Sequence, residues 1–444
     1  MIRIAAFAFA ALLPMVAQAE DLKEKLSAYM DAATSHDHFS GSVLVAKGGE
    51  VVLTRGYGLA NAEYGIANTP ETKFRLGSIT KQFTATGILI LAERGKLAVE
   101  DPVGKYLDDA PAAWEKVTIH HLLTHTSGIP SYTDDPAFMK VNMVPQTVGS
   151  MVAGIKAKPL DFEPGSKYHY NNSGYFLLGA IIEKVSGMTY EAFLGAEIFK
   201  PLEMTETGYD HHETVLPNRA SGYDRRGSEL RNAPHLDMSL PYAAGSLYST
   251  VGDLYKWDRA LKAGKLLSGK SFEAMYTPFK DNYAYGWAVT DFKGHKIIGH
   301  GGGINGFSTD FARFPDDDLC VIVLCNVNPS KPGEVARNLA SIAFGEDVPL
   351  PRTRVKAKVD PKIYDDYVGE YRLTPKMTIK VTRDGDRLIT QGTGQGKLEI
   401  FPESETAYFP EEVDALLTFV KEDGKVTHIM VHQNGKDMKG DRVE

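Results

Sequence analysis

At 444 residues the chain is too long for one ordinary hydrophobic core, so two domains are expected. Hydrophobic residues make up 43% and charged residues 24%, the balance of a soluble globular protein, which excludes a disordered or fibrous chain. A formal net charge of −8 without any basic block argues against a nucleic-acid partner and leaves small uncharged or zwitterionic substrates open.

The chain opens with MIRIAAFAFAALLPMVAQAED: Arg3, an apolar run from Ile4 to Val16, then the small-x-small pattern Ala17-Gln18-Ala19. This reads as a signal peptide over 1–19, cleaved after Ala19, because the run is shorter than the roughly 20 residues a spanning helix requires. A periplasmic or secreted protein without stable membrane insertion is expected. Ser40 to Gly58 consists of two β-rich runs around Gly48-Gly49, which predicts a hairpin.

Phe74 to Leu97, FRLGSITKQFTATGILILAERGKL, has the apolar spacing of a helix but opens with Ser78 and Lys81 three residues apart. Residues so spaced share a helix face, which would set an amine beside a hydroxyl. Serine needs a base within hydrogen-bond reach to act as a nucleophile, and lysine serves only when burial or nearby positive charge lowers its pKa. The helix N-terminus adds partial positive charge and a free N–H for a reacting carbonyl. On its own the pair also fits a capping serine and a solvated lysine.

In HHLLTHTSG, His121 and His125 stand four apart as a helix-face metal pair would, but no acidic third ligand is near, and a structural helix and turn is expected instead. FEPGSKYHYNNSGYFLLG puts Tyr170-Asn171-Asn172 in a Pro/Gly-bounded loop before an apolar helix. A phenol there could relay a proton and a side-chain amide could hold a substrate amide; a core tyrosine and a helix-capping asparagine are the plain alternative.

Helical patterns and loops dominate from Ser78 to about Leu266, after which strands return in AYGWAVTDF, HKIIGHGGG, GFSTDFARF and LCVIVLCNV. One sheet built from both ends of a domain, with a helical region inserted, is expected. In IIGHGGGINGF a strand reaches His300 and then Gly301-Gly302-Gly303, bare backbone that a substrate could approach closely and whose N–H groups could stabilise an oxyanion. Asp316 to Asp318 read as a solvated turn. Cys320 and Cys325, the only cysteines, lie five apart on a strand, so they point to opposite faces at about 16 Å and pack as free thiols.

A helix-like PGEVARNLASIAFG follows, then the Pro- and charge-rich stretch Gly345 to Lys362, read as a linker. Beyond it, short alternating runs with Asp384-Gly385, Asp423-Gly424 and Asn434-Gly435 turns predict a small antiparallel β domain.

Taken in order, SxxK, YxN and HxG resemble the motifs of the penicillin-recognising serine hydrolases: serine β-lactamases, DD-peptidases, D-aminopeptidases and esterases. NTPETKFRLGSITKQFTATGILILAERGKL, DPVGKYLDD, VTIHHLLTHTSGIPSY and AAGSLYSTVGDLYKWDRAL are similar to that family's phrases, extending the likeness over roughly Leu22 to Gly345. The resemblance implies an α/β (α+β) fold in which helices flank an antiparallel sheet, with Ser78 as acylated nucleophile, Lys81 as its base and Tyr170 assisting proton transfer. It also implies that Asn172, His300, Gly301 and Gly302 bind substrate and that the N–H groups of Ser78 and Gly303 form the oxyanion hole, with no metal or organic cofactor. The third motif departs from the family's pattern, because Gly301 stands where a hydroxyl usually meets a substrate carboxylate. From about Arg352, YDDYVGEYRL and the hairpin pattern resemble a lipocalin-like barrel.

The expected organisation is a signal peptide 1–19, a hydrolase domain 20–347, a linker 348–362 and a β domain 363–444. The expected activity is that of a D-amino-acid peptidase or amidase on a small peptide, amide or ester. A carboxylesterase with the same centre, or an idle binder of cell-wall peptides, would share these residues. The sequence leaves the oligomeric state open.

Overall fold

The computed structural model describes residues 5–36, 38–136, 143–226, 229–351, 355–411, 413, 415–433 and 436–443, with 5–19 and 436 described by backbone alone. It divides into two compact units, Met1–Pro351 and Arg352–Glu444.

Strands β1 (Gly41–Lys47), β2 (Glu50–Tyr57), β3 (Ala288–Phe292), β4 (His295–Ile304), β5 (Phe307–Phe314) and β6 (Leu319–Cys325) form one sheet in the order β3-β4-β5-β6-β1-β2. All its pairings are antiparallel, and the N-terminal hairpin joins through β1 to β6, so both ends of the domain build the sheet as expected. Alternation along each strand divides the side chains between two cores. Leu44, Ala46, Phe311, Cys320, Ile322 and Leu324 face the inserted helical region. Val43, Val45, Ala312, Phe314, Val321, Val323 and Cys325 face helices α1 (Ala5–His36) and α5 (Pro332–Ala343). The two cysteines therefore fall on opposite faces as free buried thiols. Among the described side chains of α1, Leu22, Leu26, Tyr29, Met30 and Ala33 pack there.

The inserted region is organised around α2 (Thr80–Glu93), in which every residue from Thr80 to Leu91 is buried. Such a helix needs partners for its polar side chains. Thr84 Oγ1 donates to the Ala243 carbonyl at 2.7 Å, and Gln82 Oε1 accepts from Trp257 Nε1 at 3.1 Å. Helices α3 (Ile119–Leu123) and α4 (Asn172–Ser186) add the buried Leu122, Leu123, Phe176 and Leu178 to the same core.

In the second unit, eight strands from Gly369 to Val443 close into a barrel filled by Tyr367, Tyr371, Tyr408, Leu417, Phe419 and Ile429. The Asp423-Gly424 turn has φ of 49° and 77°, the paired positive values that such a hairpin requires. Asn434-Gly435, and residues 352–354 of the expected linker, lie outside the described residues.

Candidate active site

Ser78 lies in a short 3-10 turn, Gly77–Ile79, that leads directly into α2, so Lys81 follows within the first helical turn. Gly77, at φ +54°, shapes this turn, and a Cβ on it would come within 2.9 Å of Gly303 N. The nucleophile turn and β4 are thus in contact through bare backbone on both sides.

Lys81 is fully buried. Its Nζ lies 3.0 Å from Ser78 Oγ, 2.9 Å from Asn172 Oδ1 and 2.8 Å from the Ala244 carbonyl oxygen. Burial holds its pKa well below the usual lysine value, since among the described residues no carboxylate approaches to repay the desolvation of an ammonium. A neutral amine has two N–H donors and one lone pair. Asn172 Oδ1 and the Ala244 carbonyl can only accept and so take the two N–H groups, leaving the lone pair for the Ser78 hydroxyl proton. Asn172 is held for this task by its backbone N–H, which donates to Ser131 Oγ at 3.1 Å, and by its Nδ2, which donates to Thr133 Oγ1 at 3.1 Å.

The Tyr170 ring lies 4.9 Å from Lys81 Nζ. Its hydroxyl is buried beside Ser78; burial raises its pKa and the Ser78 hydroxyl moderates the rise, so the phenol keeps its proton. The next residue, Asn171, caps α4 by accepting from the Gly174 N–H at 2.7 Å, while Asn172 opens the helix. The helix-capping role thus falls to Asn171, while the side chain of Asn172 faces Lys81.

Across the site, His300 Nε2 lies 2.9 Å from the Tyr283 hydroxyl and Nδ1 2.5 Å from the Gly301 carbonyl. Since a carbonyl only accepts, Nδ1 carries the proton and Nε2 accepts from Tyr283. Burial, then the nearby Lys81, lower the His300 pKa to about 4, so the imidazole is neutral at ordinary pH. Pairing of β3 with β4 ends at Gly299, leaving Gly301, Gly302 and Gly303 without a β3 partner along that edge. Gly302 is required sterically, because a Cβ there would lie 2.0 Å from the Leu76 carbonyl oxygen. Gly301 is not, because its Cβ would meet nothing closer than Thr309 O at 3.6 Å. The missing hydroxyl at 301 is therefore a chemical difference that packing does not impose.

The residues singled out in the sequence thus converge, while the Ala244 carbonyl, Ser131, Thr133, Tyr283 and His125 join them without having been singled out for such a role. Neither a backbone carbonyl nor a hydroxyl holding another side chain leaves a spacing signal. His121 and His125 do not form a helix-face pair: α3 ends at Leu123, His125 takes φ 57°, and His121 Nδ1 accepts the Thr118 N–H as part of a capping box. No metal-holding cluster of His, Cys, Asp or Glu is found among the described residues.

A partly exposed serine held against a buried amine beside an open glycine edge, on this sheet-and-helix scaffold, is the arrangement of a serine hydrolase. Residues 22–344 match the family model described as Beta-lactamase, and the chain belongs to that family. Residues 353–442 match a model described as a domain of unknown function, DUF3471. Penicillin-binding protein 4* of Bacillus subtilis strain 168 is 31% identical over 459 residues, covering 96% of this chain and 100% of that protein. The octameric penicillin-binding protein homologue from Pyrococcus abyssi superposes with a TM-score of 0.69 at 28% identity, over 94% of this chain and 99% of that one. A D-stereospecific amidohydrolase from a Streptomyces species gives 0.61 at 28% identity, over 72% and 99%.

Proposed function

We propose that the protein hydrolyses small D-amino-acid amides or peptides through an acyl-enzyme on Ser78. The observation that carries this reading is the hydrogen-bond count at Lys81, where two obligate acceptors and one hydroxyl surround a buried amine. Ser78 Oγ attacks the carbonyl as its proton passes to Lys81 Nζ, and the carbonyl oxygen takes negative charge against the N–H groups of Ser78 and Gly303. The Tyr170 phenol gives its proton to the departing nitrogen and is reprotonated from Lys81, after which Lys81 deprotonates the water that attacks the acyl carbon and returns that proton to Ser78 Oγ as the acid leaves. Asn172 Nδ2 gives one N–H to Thr133 Oγ1 and has its second N–H left for a substrate amide.

The amide preference draws on the D-stereospecific amidohydrolase among the similar structures. An uncharged leaving side is favoured because His300 is neutral with both nitrogens engaged and Gly301 supplies no hydroxyl, so the edge offers a substrate carboxylate neither a cation nor a side-chain donor. Export of the mature chain from Glu20 is proposed on the pattern of residues 1–19. Comparing kcat/KM for a D-alanyl amide, nitrophenyl butyrate and a chromogenic cephalosporin tests the substrate assignment. The amide and the ester are expected to turn over and the cephalosporin poorly. A cephalosporin rate well above both contradicts the reading, and ester turnover with no amide cleavage makes the protein a carboxylesterase.

A further inference from the structure

His125 is the most tightly enclosed imidazole near the site and has no part in the mechanism above. It is 1% exposed, and its left-handed backbone, φ 57°, turns the ring inward just past the end of α3. Left-handed backbone is uncommon outside glycine, although histidine adopts it more readily than most residues, and here tethers to a neighbouring segment hold it. Two of its atoms reach the segment that carries Tyr170. The His125 carbonyl accepts the His169 N–H at 2.9 Å, and Nδ1 accepts the Asn171 N–H at 3.0 Å. Tyr170 lies between these two tethers, and its ring packs on the imidazole with centroids 4.3 Å apart. On its other flank the imidazole meets the ring of Tyr283, the residue that donates to His300, with centroids 4.5 Å apart.

We infer that His125 is a positioning residue for catalysis, a neutral imidazole that clamps both neighbours of Tyr170 and so fixes the phenol against Ser78 and Lys81. The inference rests on the acyl-enzyme reading. Because Nδ1 accepts a backbone N–H, the proton of the neutral ring sits on Nε2, which is buried without a hydrogen-bond partner among the described residues. A second proton would set N–H against N–H at Asn171 and break the clamp. Burial, then the nearby Lys81 and His300, hold the His125 pKa well below the ordinary histidine value, so the acceptor form is the one present at neutral pH. The same tether steadies Asn171, the cap of α4, and with it Asn172 at the first position of that helix.

The test uses the full chain, a fluorophosphonate probe and nitrophenyl butyrate. His125→Leu fills the space without an acceptor; His125→Asn tolerates the left-handed backbone and keeps an acceptor, Oδ1, one bond from Cγ as Nδ1 is. The expected result is at least about tenfold slower acylation of Ser78 and lower kcat for His125→Leu with little change in KM, and recovery of most of that loss in His125→Asn, since small misplacements of a catalytic group cost up to about a hundredfold. Equal acylation in His125→Leu and the wild type, or equal loss in both variants, overturns the inference. Absence of any Ser78 adduct in the wild type defeats the underlying mechanism instead. If His125→Leu does not fold, the nitrogen chemical shifts of labelled histidine in the wild type decide: a proton on Nε2 of His125 supports the clamp, and a proton on Nδ1 refutes it.

Discussion

The Lys81 amine is where residue chemistry has most control over the outcome. Its deprotonated form is the reactive one, so activity should rise with pH through its folded-state pKa, which burial places well below the ordinary lysine value. A kcat/KM profile whose rising limb falls well below pH 10.5 is expected; a midpoint at that ordinary value would show that the amine is not desolvated as described. Lys81→Ala should slow acylation by at least about a hundredfold, the low end of general-base contributions, with circular dichroism unchanged. Gly301 offers a change in the opposite direction. The site has room for a Cβ there, beside Thr309 O at 3.6 Å and Asp310 Oδ2 at 3.7 Å, and Gly301→Thr adds a hydroxyl that could donate to a substrate carboxylate. A hydrogen bond to a charged group is worth about 1.5–3 kcal/mol, so kcat/KM for a D-alanyl peptide with a free carboxylate should rise by about tenfold or more. An unchanged ratio between that peptide and its amide would mean that position 301 does not select against the charge.

Between elements, the site depends on how closely β4 approaches the turn that carries Ser78. Gly302→Ala sets a methyl into the Leu76 carbonyl and must push the two apart, whereas Gly301→Ala meets only ordinary contacts. The first should lower stability by about 1–3 kcal/mol, the range for overpacking, and suppress labelling of Ser78; the second should do neither. Thermal melts and probe labelling of the two variants, compared side by side, decide this, and equal behaviour would remove the steric argument. The same contrast explains what could be read from the sequence. The Ser78–Lys81 pair was legible because a helix fixes what lies three residues on, and the sheet because alternating apolar runs mark strands whatever they pair with. The Ala244 carbonyl and the His125 clamp were not, since both act through atoms brought together only by tertiary packing, one a main-chain oxygen and the other an imidazole turned inward by a left-handed residue. The metal-pair spacing of His121 and His125 assumed a continuous helix, which ends at Leu123.

For the whole molecule, each compact unit is built on its own hydrophobic packing, two cores on either face of the sheet in the first and one aromatic-filled barrel core in the second. A chain ending at Pro351 should therefore stay soluble and keep Ser78 reactive toward a small probe. Insolubility or lost labelling would make the barrel part of the catalytic unit. Catalysis by this centre depends on a single covalent event at a single oxygen, Ser78 Oγ. Intact-mass measurement and peptide mapping after fluorophosphonate treatment of the wild type and Ser78→Ala test it most directly. One adduct on Ser78 in the wild type and none in the variant is the predicted result; an unmodified wild type, or equal modification of Ser78→Ala, would contradict it.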